Sequence, residues 1–380
     1  MGERPGGPAA ILVVSNHGAI VGGGELSLMD LLRGLDRDRW APILVVPEDG
    51  DVAVLARELE LPVHVIPLPT LRRPSLAGAR SVTALAGLVR ATGAALIHAN
   101  GSRAMAFAGA AGRLASCPTL WHVRIADSDG LLDRALCAMA TLVVATSRGV
   151  ARRFWWSPAK VRVVPNGIDL ERFAPRAPSV TLRAALQLPT SAPLAVSVGR
   201  HVPENGYRHL IDAAARLEHT RPGVHWVLVG DGELRSELEA QSRRLDLASR
   251  VHFTGSRSDV ADLLALADVF VLPSESEGFG RVLVEAMAMA RAIVATNVGG
   301  IPDIVLDGET GVLVEPANAV ALAHAVRGLL DDPARAARLG AAGRRRAEST
   351  FSVGAHVDGV ERVYHEVLGR GAPEARRRWA

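Results

Sequence analysis

Lysine is almost absent from this chain: Lys160 is the only one among 43 basic residues in 380. Any cationic contact to a phosphate must therefore come from arginine, whose planar guanidinium binds oxyanions through paired donors. Aromatic residues make up only 4% of the chain, so its cores must be built mainly from Leu, Val, Ile and Ala. The two cysteines, Cys117 and Cys137, form neither a C-x-x-C motif nor a disulfide framework, and buried thiols in a reducing compartment are the expectation. No uninterrupted apolar run is long enough to span a bilayer. No charged start followed by an apolar stretch marks a signal peptide. The expected location is cytoplasmic, with peripheral contact to a membrane surface left open. A net charge of +3 is too small to argue for a nucleic-acid partner, and none is expected.

What is present is globular: 48% hydrophobic and 22% charged residues, over a length sufficient for two domains. Short β-branched runs at 11–15, 43–46, 63–66, 96–98, 119–122, 142–146 and 161–164 alternate with Ala/Leu-rich stretches of helical character. After a segment with five prolines at 165–193, the rhythm resumes with strands at 194–198, 225–229, 251–254, 269–272, 292–295 and 311–314. Such βα alternation implies parallel sheets covered on both faces. The expected fold class is therefore α/β, with two doubly wound, Rossmann-like domains facing across a cleft. They cover residues 1–175 and 190–352, and a helix with a basic tail at 353–380 returns toward the N-terminal domain. The arginine runs 344–346 and 376–378 are read as solvated, and Trp155 and Trp156 as packed ahead of the interdomain hinge.

The most informative segment is 273–289. A strand ends at Leu272, the turn Ser276-Glu277-Gly278-Phe279-Gly280 follows, and Arg281 opens an apolar helix carrying Glu285. A helix N-terminus presents unpaired N–H groups and a positive dipole end, which suit a phosphate. Two carboxylates, one in the turn and one down the helix, can hold two different hydroxyl-bearing parts of one ligand. An ordinary surface role does not suit Glu285, because apolar residues flank it on both sides.

The pair Glu277 and Glu285, spaced E-x7-E inside E-G-F-G-R-V-L-V-E-A-M-A, resembles the signature of family 4 of the retaining glycosyltransferases, which have the GT-B fold. The resemblance extends over almost the whole chain. It includes the hinge-like 161–169, V-R-V-V-P-N-G-I-D, and Val198-Gly199-Arg200 followed by Pro203-Glu204-Asn205-Gly206. It also includes Val229-Gly230-Asp231-Gly232, Phe253-Thr254-Gly255 and Val298-Gly299-Gly300-Ile301-Pro302. The resemblance implies a role for each residue. Glu285 would bind the ribose hydroxyls. Glu277 would hold the transferred sugar, and the backbone of Gly278, Phe279 and Gly280 would contact sugar and phosphate. Arg200 would stabilise the leaving diphosphate, and 253–257, with Gly255 and Arg257, would border the base. Gly22-Gly23-Gly24-Glu25 looks like the family's G-G-x-E loop. His122 stands at a strand end where the family places a histidine near the donor sugar. His98 is a second strand-end candidate. Glu25, His98 and Arg124 are the acceptor-side candidates, and Arg134 is another that could reach an acceptor.

The chain departs from the family at Asn205, where a lysine normally meets the diphosphate. Either Arg281 compensates, or the donor is bound differently, or the enzyme is impaired; compensation is the favoured expectation. The implied reaction transfers a sugar from a UDP- or GDP-linked donor to an acceptor hydroxyl, with retention. The donor acts as co-substrate, and no other cofactor is expected. No D-x-D of the kind that holds a metal–diphosphate complex is present, so no metal is expected either. The alternatives are a related GT-B sugar-phosphate synthase or phosphorylase, or a weakly active sugar-nucleotide binding protein. The motifs name neither base, sugar nor acceptor.

Overall fold

The computed structural model describes residues 7–71, 75–126 and 129–369; Arg376, Arg377 and Arg378 lie outside the described residues. The chain divides into two units. One runs to Gly167 and resumes at Val353, and the other runs from Ile168 to Ser352.

The first unit is built on seven parallel strands: β1 (Ala9–Ser15), β2 (Trp40–Val46), β3 (Val63–Val65), β4 (Leu96–Asn100), β5 (Thr119–Val123), β6 (Leu142–Ala145) and β7 (Val161–Val163). Their order is β3-β2-β1-β4-β5-β6-β7. β4, β5 and β6 are buried along their whole length, as expected of strands covered by helices on both faces. The order reverses between β1 and β4, which pair in register from Ile11↔Leu96 to Ser15↔Asn100. In open parallel sheets, ligands bind beyond the carboxyl ends of the strands at such a reversal. The segment from Asn16 to Gly24, the end of β4 and the end of β5 all occupy that edge.

The helix Val353–Val367 belongs to this unit. Val357, Val360, Val363 and Tyr364 share a core with Leu28, Leu31 and Trp40, and the Glu361 carboxylate accepts the Asp36 N–H at 3.0 Å. Each of these fully buried aliphatic side chains is worth about 1.5–3 kcal/mol.

The second unit has six parallel strands: β8 (Leu194–Val198), β9 (His225–Val229), β10 (Val251–Gly255), β11 (Val269–Leu272), β12 (Ala292–Thr296) and β13 (Val312–Val314). Their order is β10-β9-β8-β11-β12-β13, with the reversal between β8 and β11. The loops that leave these two strands are Gly199–Gly206 and Pro273–Gly280, the two segments singled out as donor loops.

Three expectations need correction. The proline-rich segment is not simply a connection. The units divide at Gly167, and Ile168 and Phe173 already lie in the second unit's core. The Ile168 N–H donates to Phe351 O at 2.8 Å, and a helix forms at Val180–Ala185. Arg344 and Arg346 are not merely solvated. Both lie on the helix Pro333–Thr350, whose start is marked by Pro333 and the capping Asp332. Arg344 donates to Ala288 O at 2.7 Å and Arg346 to Ile304 O at 2.8 Å. They satisfy carbonyls at helix C-termini, where positive charge is also favoured by the dipole. Trp155 is not packed: it is 73% exposed, whereas Trp156 carries the guanidinium of Arg134 4.7 Å from its ring centre. Arg134 therefore has a packing partner on its own surface.

Lys160 donates to Cys137 O and Ala140 O, closing the helix Gly130–Met139. Both cysteines are free and buried, and burial pushes the Cys117 thiol up to about 11. Among the described residues, no helix is long and apolar enough to cross a membrane.

Candidate functional site

In the second unit, two backbone approaches shape the edge at the carboxyl ends of β8 and β11. Gly206 has φ +66°, and a Cβ there would run into the Pro273 carbonyl, so the loop after β8 closes directly on the start of the loop after β11. The Glu204 carbonyl then accepts the N–H groups of Glu275 and Ser276 at 2.8 and 3.2 Å. Gly299 has φ +53°, and a Cβ there would run into the Glu277 carbonyl, which accepts the Gly300 N–H at 2.9 Å. A side chain at either position would force the two segments apart.

Glu277 is thus held by its own main chain. Its carboxylate faces the turn that follows it, with the Phe279 N–H 3.3 Å from Oε1. Burial raises its pKa, and the N–H groups of Phe279, Gly280 and Gly278, and then the charge of Arg200, offset only part of that rise. A carboxylate stabilised by backbone donors and a nearby guanidinium suits a ligand rich in hydroxyls and phosphate.

Helix Arg281–Ala288 follows, with the left-handed Gly280 before it. Here the structure adds something the motif did not suggest. Arg281 Nε donates to Glu285 Oε1 at 3.1 Å, and both side chains are nearly buried. The two residues expected to serve the ribose and the diphosphate of the donor form one i,i+4 unit on one helix face.

Asn205, at the position of the missing lysine, donates through Nδ2 to Arg200 O at 2.7 Å. It braces the loop that presents the exposed Arg200. Gly255 lies at the end of β10, where its carbonyl accepts the Gly230 N–H at 2.9 Å. Arg257 is paired with Asp259 at 2.6 Å. His201 is fully buried against Tyr207 and Phe253, and burial lowers its pKa.

In the first unit, Gly22 precedes the helix Gly23–Gly34, and Glu25 is buried in its first turn. Arg124 lies beside Gly24: a Cβ on Gly24 would stand 3.2 Å from Arg124 Cδ. Arg124 Nε donates to Asn100 Oδ1 at 2.6 Å, and Nη1 to Asn166 Oδ1 at 2.5 Å. Its Nη2 is 3.5 Å from His122 Nδ1. His122 has no exposed surface, and neither has His98. His98 is not placed to touch an acceptor. Its Nδ1 is 2.7 Å from Tyr364 Oη, and its Nε2 is 3.2 Å from His122 Nδ1. Asn100, Asn166, Tyr364 and His356, whose Nδ1 donates to Pro165 O at 2.7 Å, were not identified as site residues from the sequence. Asn166 was quoted within a hinge motif. Tyr364 sits on the last helix, far along the chain, and no local pattern connects it with His98.

Burial, followed by the charge of Arg124, holds His98 down to about 3 and His122 well below the usual histidine value of 6.5. Both stay neutral in the folded state, whereas the unfolded chain takes up protons as pH falls through about 6.5. Stability is therefore complete above that value and lost below it. At about pH 5, each such histidine removes about 2 kcal/mol. We expect Tm to fall between about pH 7 and pH 5, with net proton uptake on unfolding. A flat Tm over that interval would contradict this assignment.

The model of the family described as Glycosyltransferase Family 4 matches residues 21–172, and that of Glycosyl transferases group 1 matches residues 180–346. The chain belongs to the GT-B family 4 glycosyltransferases. Its two parallel Rossmann-like sheets are those of the GT-B fold. The glycogen synthase of Mycobacterium tuberculosis is 35% identical over 248 residues, covering 64% of this chain and 55% of that protein. The alpha-maltose-1-phosphate synthase of Mycolicibacterium smegmatis is 34% identical over 257 residues, covering 62% and 66%. The chain thus spans little more than half the length of the first of these relatives. The crystal structure of Anabaena Alr3699/HepE in complex with UDP matches at TM-score 0.83 and 27% identity, covering 94% of this chain and 100% of that one. Among the described residues of this family 4 member, no group of three or more His, Cys, Asp or Glu is placed to hold a metal ion.

Proposed function

We propose that this chain is a retaining glycosyltransferase that moves a hexose from a UDP- or GDP-linked donor to an acceptor hydroxyl in glycan, glycolipid or natural-product assembly. The observation that carries this reading is the β8/β11 reversal of the second sheet. There, Glu277 is locked by Gly299 and Gly300, the Gly278–Gly280 turn leads into the helix of Glu285, and Arg200 stands on the adjoining loop. The complexes of the Anabaena protein with UDP and with UDP-glucose support a uridine nucleotide as the first donor to try.

In this reading, Glu285 holds the ribose, Glu277 the sugar hydroxyls, and Arg200 the diphosphate. The bond from the anomeric carbon to the diphosphate breaks, and the bond to the acceptor oxygen forms on the same face. The acceptor proton passes to a diphosphate oxygen. Glu277 and Glu285 both serve the donor, so no carboxylate is left for a glycosidase-style double displacement. Catalysis rests on positioning and charge stabilisation. Two free, buried cysteines accord with a reducing, cytoplasmic location, and peripheral contact with a membrane surface fits a lipid-linked acceptor.

The test is release of nucleoside diphosphate from UDP-glucose or GDP-mannose by the purified protein, with the product's anomeric configuration read by NMR. We expect retention, and turnover that persists in EDTA. Inversion would refute the retaining mechanism, and loss of activity restored by Mn²⁺ or Mg²⁺ would refute metal independence. The maltose-1-phosphate synthase relative favours a second reading, a sugar-phosphate synthase, which would be revealed by a reverse reaction dependent on a phosphorylated sugar.

A further inference from the structure

The first unit holds a line of buried polar side chains for which glycosyl transfer gives no obvious task. Tyr364 lies on the last helix, its ring edge-on to Trp40 with centroids 5.3 Å apart. Its hydroxyl reaches His98 Nδ1 at 2.7 Å, and His98 Nε2 reaches His122 Nδ1 at 3.2 Å. His122 Nε2 is buried and has no hydrogen-bond partner among the described residues.

A chain of neutral imidazoles has two consistent proton arrangements. In one, tyrosine donates to His98 Nδ1, His98 Nε2–H donates to His122 Nδ1, and His122 carries its proton on Nε2. In the other, every bond is reversed, and His122 presents a bare Nε2. Arg124 decides between them. A guanidinium has donors only, and its Nη2 also approaches His122 Nδ1, at 3.5 Å. A protonated Nδ1 would set its hydrogen beside that cation, so an accepting Nδ1 is the favoured arrangement. We infer that Tyr364 and His98 form a relay that fixes His122 in the Nε2–H tautomer, so that its unpartnered Nε2 is offered to a ligand oxygen as a hydrogen-bond donor and not as a base. The inference rests on the proposed function for the identity of that ligand. Tyr364 and His98 are positioning residues, acting through His122.

The groups surrounding the relay are consistent with this direction. His356, whose ring is 6.0 Å from that of His122, donates its Nδ1–H to Pro165 O. Burial, and then the charge of Glu361 one turn before it, disfavours a phenolate at Tyr364, so the tyrosine keeps the proton it donates. The tyrosine can donate or accept, so it is the guanidinium, which only donates, that selects the direction of the relay. Fixing a ring's tautomer through an outer partner is worth about tenfold to a hundredfold in function elsewhere.

The test uses the full chain labelled with ¹⁵N-histidine. Protonated and bare ring nitrogens resonate far apart, and H122N assigns the signal. In the wild type, His122 should show a protonated Nε2. In Y364F and H98F, that signal should shift toward a tautomer mixture, and kcat should fall about tenfold with donor KM within about threefold. H98Q still offers an amide N–H to His122 Nδ1, so it should keep the wild-type tautomer and most of the activity. A proton on His122 Nδ1 in the wild type overturns the inference. So does an unchanged His122 signal in both Y364F and H98F, or an H98Q that remains folded yet loses as much as H98F. The NMR readout needs no turnover: a wild type with the expected tautomer but no sugar transfer would defeat the proposed function and leave the relay standing.

Discussion

Glu277→Gln is expected to lower kcat by about a hundredfold or more while leaving UDP affinity within about threefold and Tm unchanged. The glutamine keeps the size of the side chain. The turn is held by main-chain bonds, from Gly300 N–H to the Glu277 carbonyl, and by the tight passage of Gly299, and neither depends on the carboxylate. What is lost is a negative charge that the N–H groups of residues 278–280 and Arg200 have been arranged to support. Those donors then face a neutral group, and the hydroxyls of the sugar lose an ionised acceptor in the transition state. Glu285→Gln should behave in the opposite way. It should weaken UDP binding about tenfold, with a smaller effect on kcat, because in the proposed reading it holds the ribose, a part of the donor that does not react. Isothermal titration with UDP and steady-state kinetics on the same preparations separate the two. Equal loss of UDP affinity in both variants would refute the division of roles.

Arg281→Ala should reduce kcat/KM for the donor by about tenfold or more, since a hydrogen bond to a charged group is worth about 1.5–3 kcal/mol. The structure gives two routes to that loss. Arg281 stands at the helix N-terminus, where an anion is favoured, and its Nε is bonded to the nearly buried Glu285. The first route makes it the substitute for the lysine replaced by Asn205; the second makes it the clamp on Glu285, the carboxylate proposed to bind the ribose. Asn205→Lys separates them. Placed in the Arg281→Ala background, a lysine at 205 should restore part of the loss, because two cations serving one diphosphate are coupled and not additive. It should not restore the share owed to Glu285, so rescue should stay incomplete. Arg281→Ala and Glu285→Gln should also be less than additive when combined. A silent Arg281→Ala would remove Arg281 from donor binding. A complete absence of rescue, with a loss equal to that of Glu285→Gln, would assign it to the clamp alone.

The strands were legible in the sequence because buried parallel strands read as short aliphatic runs, and thirteen β-branched runs stand where the sheets have their strands, including the partly exposed β3, β7 and β13. The donor loops were legible for a related reason. A loop that must pass another backbone closely, as at Gly206 and Gly299, or turn through a left-handed φ, as at Gly280, favours glycine, and these residues mark the turn chemistry in one dimension. The short helix Val180–Ala185 was hidden among prolines, and the extent of the helix Pro333–Thr350 among polar residues. The arginines of that second helix looked solvated because their partners are carbonyls at the ends of other helices, which no sequence pattern displays.

The sequence by itself determined the α/β class, the E-x7-E turn and helix, and the scarcity of lysine that throws phosphate recognition onto arginine, because each of these depends on neighbours within a few residues. Tertiary structure alone decided that Arg281 is tied to Glu285, that Asn205 braces the Arg200 loop, and that Tyr364 is joined through His98 to His122. The physical reason is the range of the interaction. Helix and strand periodicity is local, whereas the hydrogen bond between His98 and Tyr364 joins residues 266 positions apart, and only the packing of the last helix into the first sheet's core brings them within reach.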